Sequence, residues 1–246
     1  ARVDKNIGVS LVTTGPGGTN AITGVVGSWM DSVPTLTISG QVFLNQTIAQ
    51  SGLRQLGIQE INIIDIVKPV TKYAVMVEKP EHALYEIEKA IYFANNNRPG
   101  PTWVDIPADI QKAEIELKKC KRFNSPNQKK QKIFSISDNK ISGIIEKVKN
   151  SKRPLIYIGR GVQIANAEDK LLDFIKHTKI PFVTSWSASE IVDSKNIYNV
   201  GRPGMFGQRH ANIIVQNADL ILIIGSRLSL PQVGYNHKDF GRNALK

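Results

Sequence analysis

The 246-residue sequence predicts an α/β protein made of two doubly wound parallel-sheet domains. Two observations predict it. Apolar, β-branched runs repeatedly lead through a glycine turn into a helix. Those runs are continuous rather than alternating, the pattern of strands buried on both faces of a helix-covered parallel sheet.

The first domain is expected over residues 1–112. Ile7 to Val12 reads as a strand buried on both faces, and the loop Thr13 to Asn20, with glycines at 15, 17 and 18, follows it. Ala21 to Met30 carries small and apolar residues at helical spacing, and Thr35 to Ile38 reads as the next strand, completing a βαβ unit. Ile58 to Val67 predicts a helix stopped by Lys68-Pro69, and Tyr73 to Val77 a strand. Glu81 to Ala94 predicts an amphipathic helix with Leu84, Ile87, Ile91 and Ala94 on one stripe. Arg98-Pro99-Gly100-Pro101 is too rich in proline for a helix, and Thr102 to Ile106 reads as a strand closed by Pro107.

Residues 113–132 predict a solvated basic linker. Between Gln111 and Lys132 stand eight Lys or Arg against two Glu, and the Asn124-Ser125-Pro126-Asn127 run lacks periodicity. The second domain is expected over residues 133–246: helix Asp138 to Lys149, strand Leu155 to Ile158, turn Gly159-Arg160-Gly161, helix Ala167 to His177, strand Pro181 to Thr184, helix Ala211 to Gln216 and strand Leu220 to Ile224. That last strand ends in Gly225-Ser226-Arg227, a polar loop at the carboxyl edge of a parallel sheet, where such folds bind ligands.

Composition narrows the function classes. No apolar run approaches the ~20 residues of a membrane span, and the N-terminus has no signal pattern, so a soluble, cytoplasmic protein without membrane contact is expected. The lone Cys120 excludes an internal disulfide and has no CxxC partner for zinc. His82, His177, His210 and His237 are too scattered for a metal set. The net charge of +11 is concentrated in the linker, with no zinc-finger or RNA-binding signature, so no nucleic-acid partner is expected.

The loop Gly15 to Asn20, between a buried strand and a helix N-terminus, is the first candidate for a ligand cradle. Its glycines permit left-handed backbone and close approach, and the helix end offers unpaired N–H groups. It is neither a Walker loop, since no Lys-Ser or Lys-Thr follows, nor GxGxxG. A purely structural turn is the alternative.

Leu11 to Asn20 resembles the "VTSGPGATN" segment of the acetohydroxyacid synthase, pyruvate oxidase and benzoylformate decarboxylase superfamily of thiamine-diphosphate enzymes. Further likenesses follow in the family's order: Asp31 to Pro34 resembles "DGIP", Gly40-Gln41 "TGQ", Gln59-Glu60 "FQE", and Arg98 to Pro107 "GRPGPVLVDLP". In the second half, Gly204 to Gly207 resembles "GMHG", and Gln216 to Arg227 "QNADLIIAVGAR". Nearly the whole chain is covered.

The resemblance implies part of a pyrimidine-binding domain followed by most of a central domain, C-terminally incomplete, from an acetolactate synthase-like transferase or lyase. The activity implied is decarboxylation of a 2-keto acid such as pyruvate and carboligation to an acceptor. Thiamine diphosphate would lie between subunits of a homodimer or tetramer, with Mg held by a further domain. Because Ala1-Arg2 resembles the end of the family's "GYAR" stretch, the catalytic glutamate is expected before residue 1, and the magnesium "GDG" after residue 246. This piece alone is therefore expected not to catalyse. A noncatalytic nucleotide-binding or regulatory module of the same fold is the alternative.

Carried over by position, Gly15, Pro16 and Asn20 fall on the pyrimidine side, and Gln59 on the cofactor and acceptor region, with Ile58 where the family has phenylalanine. Gln41 is a further candidate, which a buried glutamine bonded to nearby backbone would equally explain. FAD contacts would fall on Arg98, Gly159, Gly161, Gly204, Met205 and Arg227. Against FAD, Phe206, Ser229 and Pro231 stand where the family has a histidine, an acid and an arginine; an ADP-like ligand or an empty site is then expected. Ala108 replaces a lysine near the substrate entrance, which points to a relative with a different keto acid or acceptor.

Overall fold

Two stretches of chain, each able to close its own sheet, emerge from the strand pattern, and the computed structural model divides accordingly into compact units, Ala1–Lys132 and Ile133–Lys246. It describes residues 1–3, 6–48, 51–125 and 136–246.

In the first unit, β1 (Gly8–Val12), β2 (Thr35–Gln41), β3 (Tyr73–Met76) and β4 (Pro101–Pro107) form one sheet in the order β1-β2-β4-β3. All its pairings are parallel. α1 (Pro16–Asp31), α2 (Ile63–Val67), α3 (Ala83–Asn95) and α4 (Ala108–Lys112) cover it. Adjacent residues of β4 point to opposite faces. Trp103 packs with Val25 of α1 and Ile63 and Val67 of α2, while Val104 packs with Ala90 of α3 and Ile110 of α4. Both faces are therefore helix-covered, as a doubly wound sheet requires.

In the second unit, α5 (Asp138–Asn150) leads to β5 (Pro154–Ile158), α6 (Gly161–Ile164), α7 (Glu168–Thr178), β6 (Phe182–Thr184), α8 (Arg209–Asn217), β7 (Leu220–Ile224) and α9 (Leu230–Val233). The parallel sheet runs β6-β5-β7. Ile156 and Ile158 pack on Leu171 and Ile175 of α7, whereas Leu155 and Tyr157 pack on Ala211 and Val215 of α8. The predicted α/β class holds in both units. None of the described helices is long and apolar enough to cross a membrane.

Four local expectations change. β1 is an edge strand and not buried on both faces: Val9 is 62 % and Leu11 79 % exposed. α2 begins at Ile63, not Ile58, because Gln59 adopts a left-handed φ of 59°, which a helix cannot carry, and the Asn62 side chain then caps by accepting from the Asp65 N–H. The buried stripe of α3 contains Ala90 and Ala94 with Ala83 and Ile87 packed beside them, while Ile91 is exposed.

The fourth concerns the basic stretch. Residues 114–119 are solvent-exposed, as expected of a linker, but residues 121–123 dock on α3 and the turn before it. Lys121 N–H donates to the Glu81 carbonyl, Arg122 pairs with Glu88 at 2.5 Å, and the Phe123 ring packs between Tyr85 and Tyr92. An aromatic anchor and an ion pair outweigh the polar composition there. Cys120 is buried in the process. Residues 126–132 of the expected linker lie outside the described residues.

Candidate functional site

The loop after β1 and the chain after β2 leave the sheet side by side at its carboxyl end, because the two strands are parallel neighbours. Gly15 has φ 57°, and a Cβ on it would lie 2.1 Å from the Gln59 carbonyl oxygen, so only glycine admits this contact. Gln59, 44 residues away by number, is thereby seated on the glycine loop. Gly17 and Gly18 have local reasons too. A Cβ on Gly17 would meet the Thr13 side chain at 2.7 Å, and Gly18 lies under Ile63 and Trp103.

Pro16 occupies the first turn of α1, where its missing N–H costs nothing. Asn20 stands four residues on, along the same helix face. Pro16, Asn20 and Gln59 are all exposed, with the apolar Ile58 beside them at 87 %. The segment carrying Gln59 is held by the next residue. The buried Glu60 carboxylate accepts from the backbone N–H groups of Ile48, Leu56 (3.0 Å) and Gly57 (3.2 Å).

Gln41 behaves differently. It is buried, and its amide is engaged at both ends: Oε1 accepts from Thr14 Oγ1 (2.9 Å) and Val42 N–H (3.0 Å), while Nε2 donates to the Ile61 carbonyl (3.1 Å) and Asp105 Oδ2 (3.0 Å). It ties the glycine loop to the segment after Gln59 instead of facing solvent. Below it, Ser39 Oγ donates to Asp105 Oδ1 (2.5 Å) and accepts from Trp103 Nε1 (2.7 Å). Burial pushes the Asp105 carboxyl up to about 6, against the opposing pull of the hydrogen bonds from Ser39 and Gln41.

The structure therefore brings Gly15, Pro16, Asn20, Gln41 and Gln59 together in the first unit. Thr14, Ser39 and Asp105 were missed as parts of this site by sequence reasoning. A lone acid inside the apolar run Thr102-Trp103-Val104-Asp105-Ile106 was the available signal, since a carboxylate in such a strand needs partners.

Arg98 belongs to the same unit but not to this loop: its Nε donates to Ser32 Oγ (2.7 Å), clamping the left-handed residue that ends α1. In the second unit, Gly159 and Gly161 face the Gly225 turn. A Cβ on Gly159 would lie 2.3 Å from the Gly225 carbonyl oxygen, and one on Gly161 2.7 Å from Gly225 Cα. The Cβ directions of both glycines are therefore filled by the backbone of the Gly225 turn, which accounts for glycine at these two positions through packing of one turn on the other. Gly204 exchanges two hydrogen bonds with the Asn212 side chain, Met205 N–H donates to the Pro231 carbonyl, and Arg227 is exposed. A mostly apolar pocket of about 360 Å³ borders Gly161 and Gly225, lined also by Leu171, Phe174 and Lys170. Among the described residues, no group of three or more His, Cys, Asp or Glu is placed to hold a metal ion.

Residues 141–246 match the family described as "Thiamine pyrophosphate enzyme, central domain", and residues 1–66 match "Thiamine pyrophosphate enzyme, N-terminal TPP binding domain". The acetolactate synthase large subunit of Corynebacterium glutamicum is 35% identical over 230 residues, 92% of this chain and 35% of that protein. That of Buchnera aphidicola subsp. Schizaphis graminum is 34% identical over 233 residues, 92% of this chain and 39% of that protein. The Lactococcus lactis large subunit aligns with 100% of this chain at 28% identity, over 41% of its own length. The chain thus spans well under half the length of these relatives.

Proposed function

The chain belongs to the thiamine pyrophosphate enzymes, and from that premise we propose that it forms part of an acetolactate synthase-like enzyme acting on a 2-keto acid such as pyruvate. The observation that supports this reading is the contact of Gly15 with Gln59, which joins the glycine loop to the glutamine segment within the residues matched to the N-terminal TPP-binding domain.

Pro16, Asn20 and Gln59 fit an aminopyrimidine: two polar side chains for hydrogen bonding and a rigid ring, exposed at the carboxyl edge of a parallel sheet. When bound, thiamine diphosphate supplies the electron sink that lets a 2-keto acid lose CO2 and its remaining acyl carbon join an acceptor. The chain's own contribution is placement. Glu60 fixes the backbone that carries Gln59, Gln41 fixes the loop that carries Pro16, and Ile58 offers an exposed apolar side chain beside them. Magnesium as diphosphate partner, an assembly of two or four copies and a cytoplasmic location complete the proposal, which includes no flavin and no nucleic-acid partner.

The test is native mass spectrometry of the protein purified from its source, followed by pyruvate turnover. Bound thiamine diphosphate with pyruvate consumption and CO2 release is expected. Absence of the cofactor together with untouched pyruvate overturns the reading, and a yellow, flavin-containing preparation overturns its flavin-free part.

A further inference from the structure

The Gln41 side chain bridges both segments of the proposed pyrimidine site, and what fixes Gln41 lies beneath it. Its amide has two donors and two acceptor sites, and each meets a complementary group. Thr14 Oγ1 and Val42 N–H lie at one end; the Asp105 carboxylate and the Ile61 carbonyl lie at the other. Turning the amide over would set its oxygen against a carboxylate and a carbonyl and leave the Val42 N–H facing an NH2 group.

We infer that Asp105 is a positioning residue for the pyrimidine-side loop, locking the Gln41 amide so that its Oε1 holds Thr14 and its Nε2 holds the Ile61 carbonyl in the segment after Gln59. This rests on the reading of Gly15 to Asn20 and Gln59 as the pyrimidine site. The hydrogen bonds run in one direction, Trp103 Nε1 to Ser39 Oγ and Ser39 Oγ to Asp105, with Gln41 Nε2 donating to the other Asp105 oxygen. Asp105 is 1 % exposed, and Ser39 sits opposite it in the β2–β4 register, so the carboxylate cannot turn to water. On the β3 side it faces Met76 in register, which has no charge, and the ion pairs among the described residues do not include it. Its two side-chain donors are Ser39 and Gln41. A buried acid with such partners does nothing for packing that an apolar residue would not do better. Its specific effect is orientation.

The experiment is ¹⁵N NMR of the chain from pH 5 to 8, for the wild type, Asp105→Asn and Ser39→Ala, with thiamine as the aminopyrimidine probe. Expected in the wild type is one shared midpoint, near 6, for the Gln41 side-chain NH2 and the backbone amides of Val42 and Thr14 to Gly17. Asp105→Asn should abolish that titration with the remaining spectrum dispersed, and should weaken thiamine binding about tenfold. Ser39→Ala, which removes a hydrogen bond to the charged form, should raise the midpoint. Loop amides that do not titrate, that still titrate in Asp105→Asn, or a variant that binds thiamine as tightly as wild type, each overturn the inference. Should thiamine leave Gly15 to Asn20 unshifted in the wild type while the coupled titration is present, the pyrimidine-site reading fails and the Asp105 coupling stands. If Asp105→Asn does not fold, Ser39→Ala decides: an unmoved midpoint overturns the proposal.

Discussion

A single side chain sets the pH behaviour expected of the first unit. The Asp105 carboxyl, ordinarily near 3.8, rises to about 6 in the folded chain. The folded state therefore keeps a proton over a window in which the unfolded state has released it. That stabilisation is full below the unfolded value and is lost as pH climbs through the folded one. Two units of difference correspond to at most about 3 kcal/mol. Urea denaturation at pH 4.5 and 7.5 should show wild-type stability declining relative to Asp105→Asn by a sizeable part of that amount. Parallel pH profiles for the two proteins would contradict the buried-acid account. Gly15 gives a prediction of the opposite kind, from sterics alone. Alanine there must adopt φ 57° and put its Cβ on the Gln59 carbonyl. Gly15→Ala should cost about 1–3 kcal/mol, with hydrogen exchange rising first at Gly57 to Glu60; unchanged exchange there would mean that loop and segment are not pressed together.

Elements whose identity depends on local chemistry were readable before the structure, and those decided by distant partners were not. The strands around Leu36, Val104, Ile156 and Leu222, and the glycine loop before α1, follow from apolar runs and turn residues. β1 carries the same apolar run yet ends at the sheet edge, because strand order is a tertiary choice that composition does not encode. The start of α2 was misread for a related reason: Ile58 to Val67 has helical periodicity, but Glu60 collects backbone N–H groups from residues up to 12 positions upstream and bends the chain first. The basic stretch was read as a tether because lysines dominate it, while its end docks through Phe123 on Tyr85 and Tyr92 and through Arg122 on Glu88. Of the site, the exposed members could be named from resemblance; the buried tie of Gln41 to Asp105 required the β2–β4 register. Glu60 makes this testable as an element. Glu60→Ala leaves the Ile48, Leu56 and Gly57 N–H groups without their acceptor, a loss of about 2 kcal/mol. Exchange protection should vanish from 48 and 56–57 while α3 keeps its own; if the loss spread evenly through the unit, Glu60 would be a core residue rather than a loop anchor.

At the scale of the molecule, the two units carry separate cores: Trp103 and Val104 mark one, Tyr157 and Phe182 the other, all with 0 % exposure. Their sheets share no strand. Each buries its apolar groups against its own helices, so the free energy of folding is held in two accounts, and a single all-or-none transition is not the expectation. Large-to-small changes should then act on one unit alone. Trp103→Ala removes a fully buried indole and the hydrogen bond to Ser39, and Phe182→Ala removes a fully buried ring from the cluster that holds Ile156 and Ile175; each should cost its own unit about 3–5 kcal/mol. Hydrogen exchange with mass analysis separates them: in Trp103→Ala, peptides from β2 and β4 should lose protection while those from β5 and β7 keep it, and Phe182→Ala should reverse the pattern. If either variant stripped protection from both sheets together, the units would be thermodynamically coupled, and the separate cores would have to be regarded as halves of one folding unit.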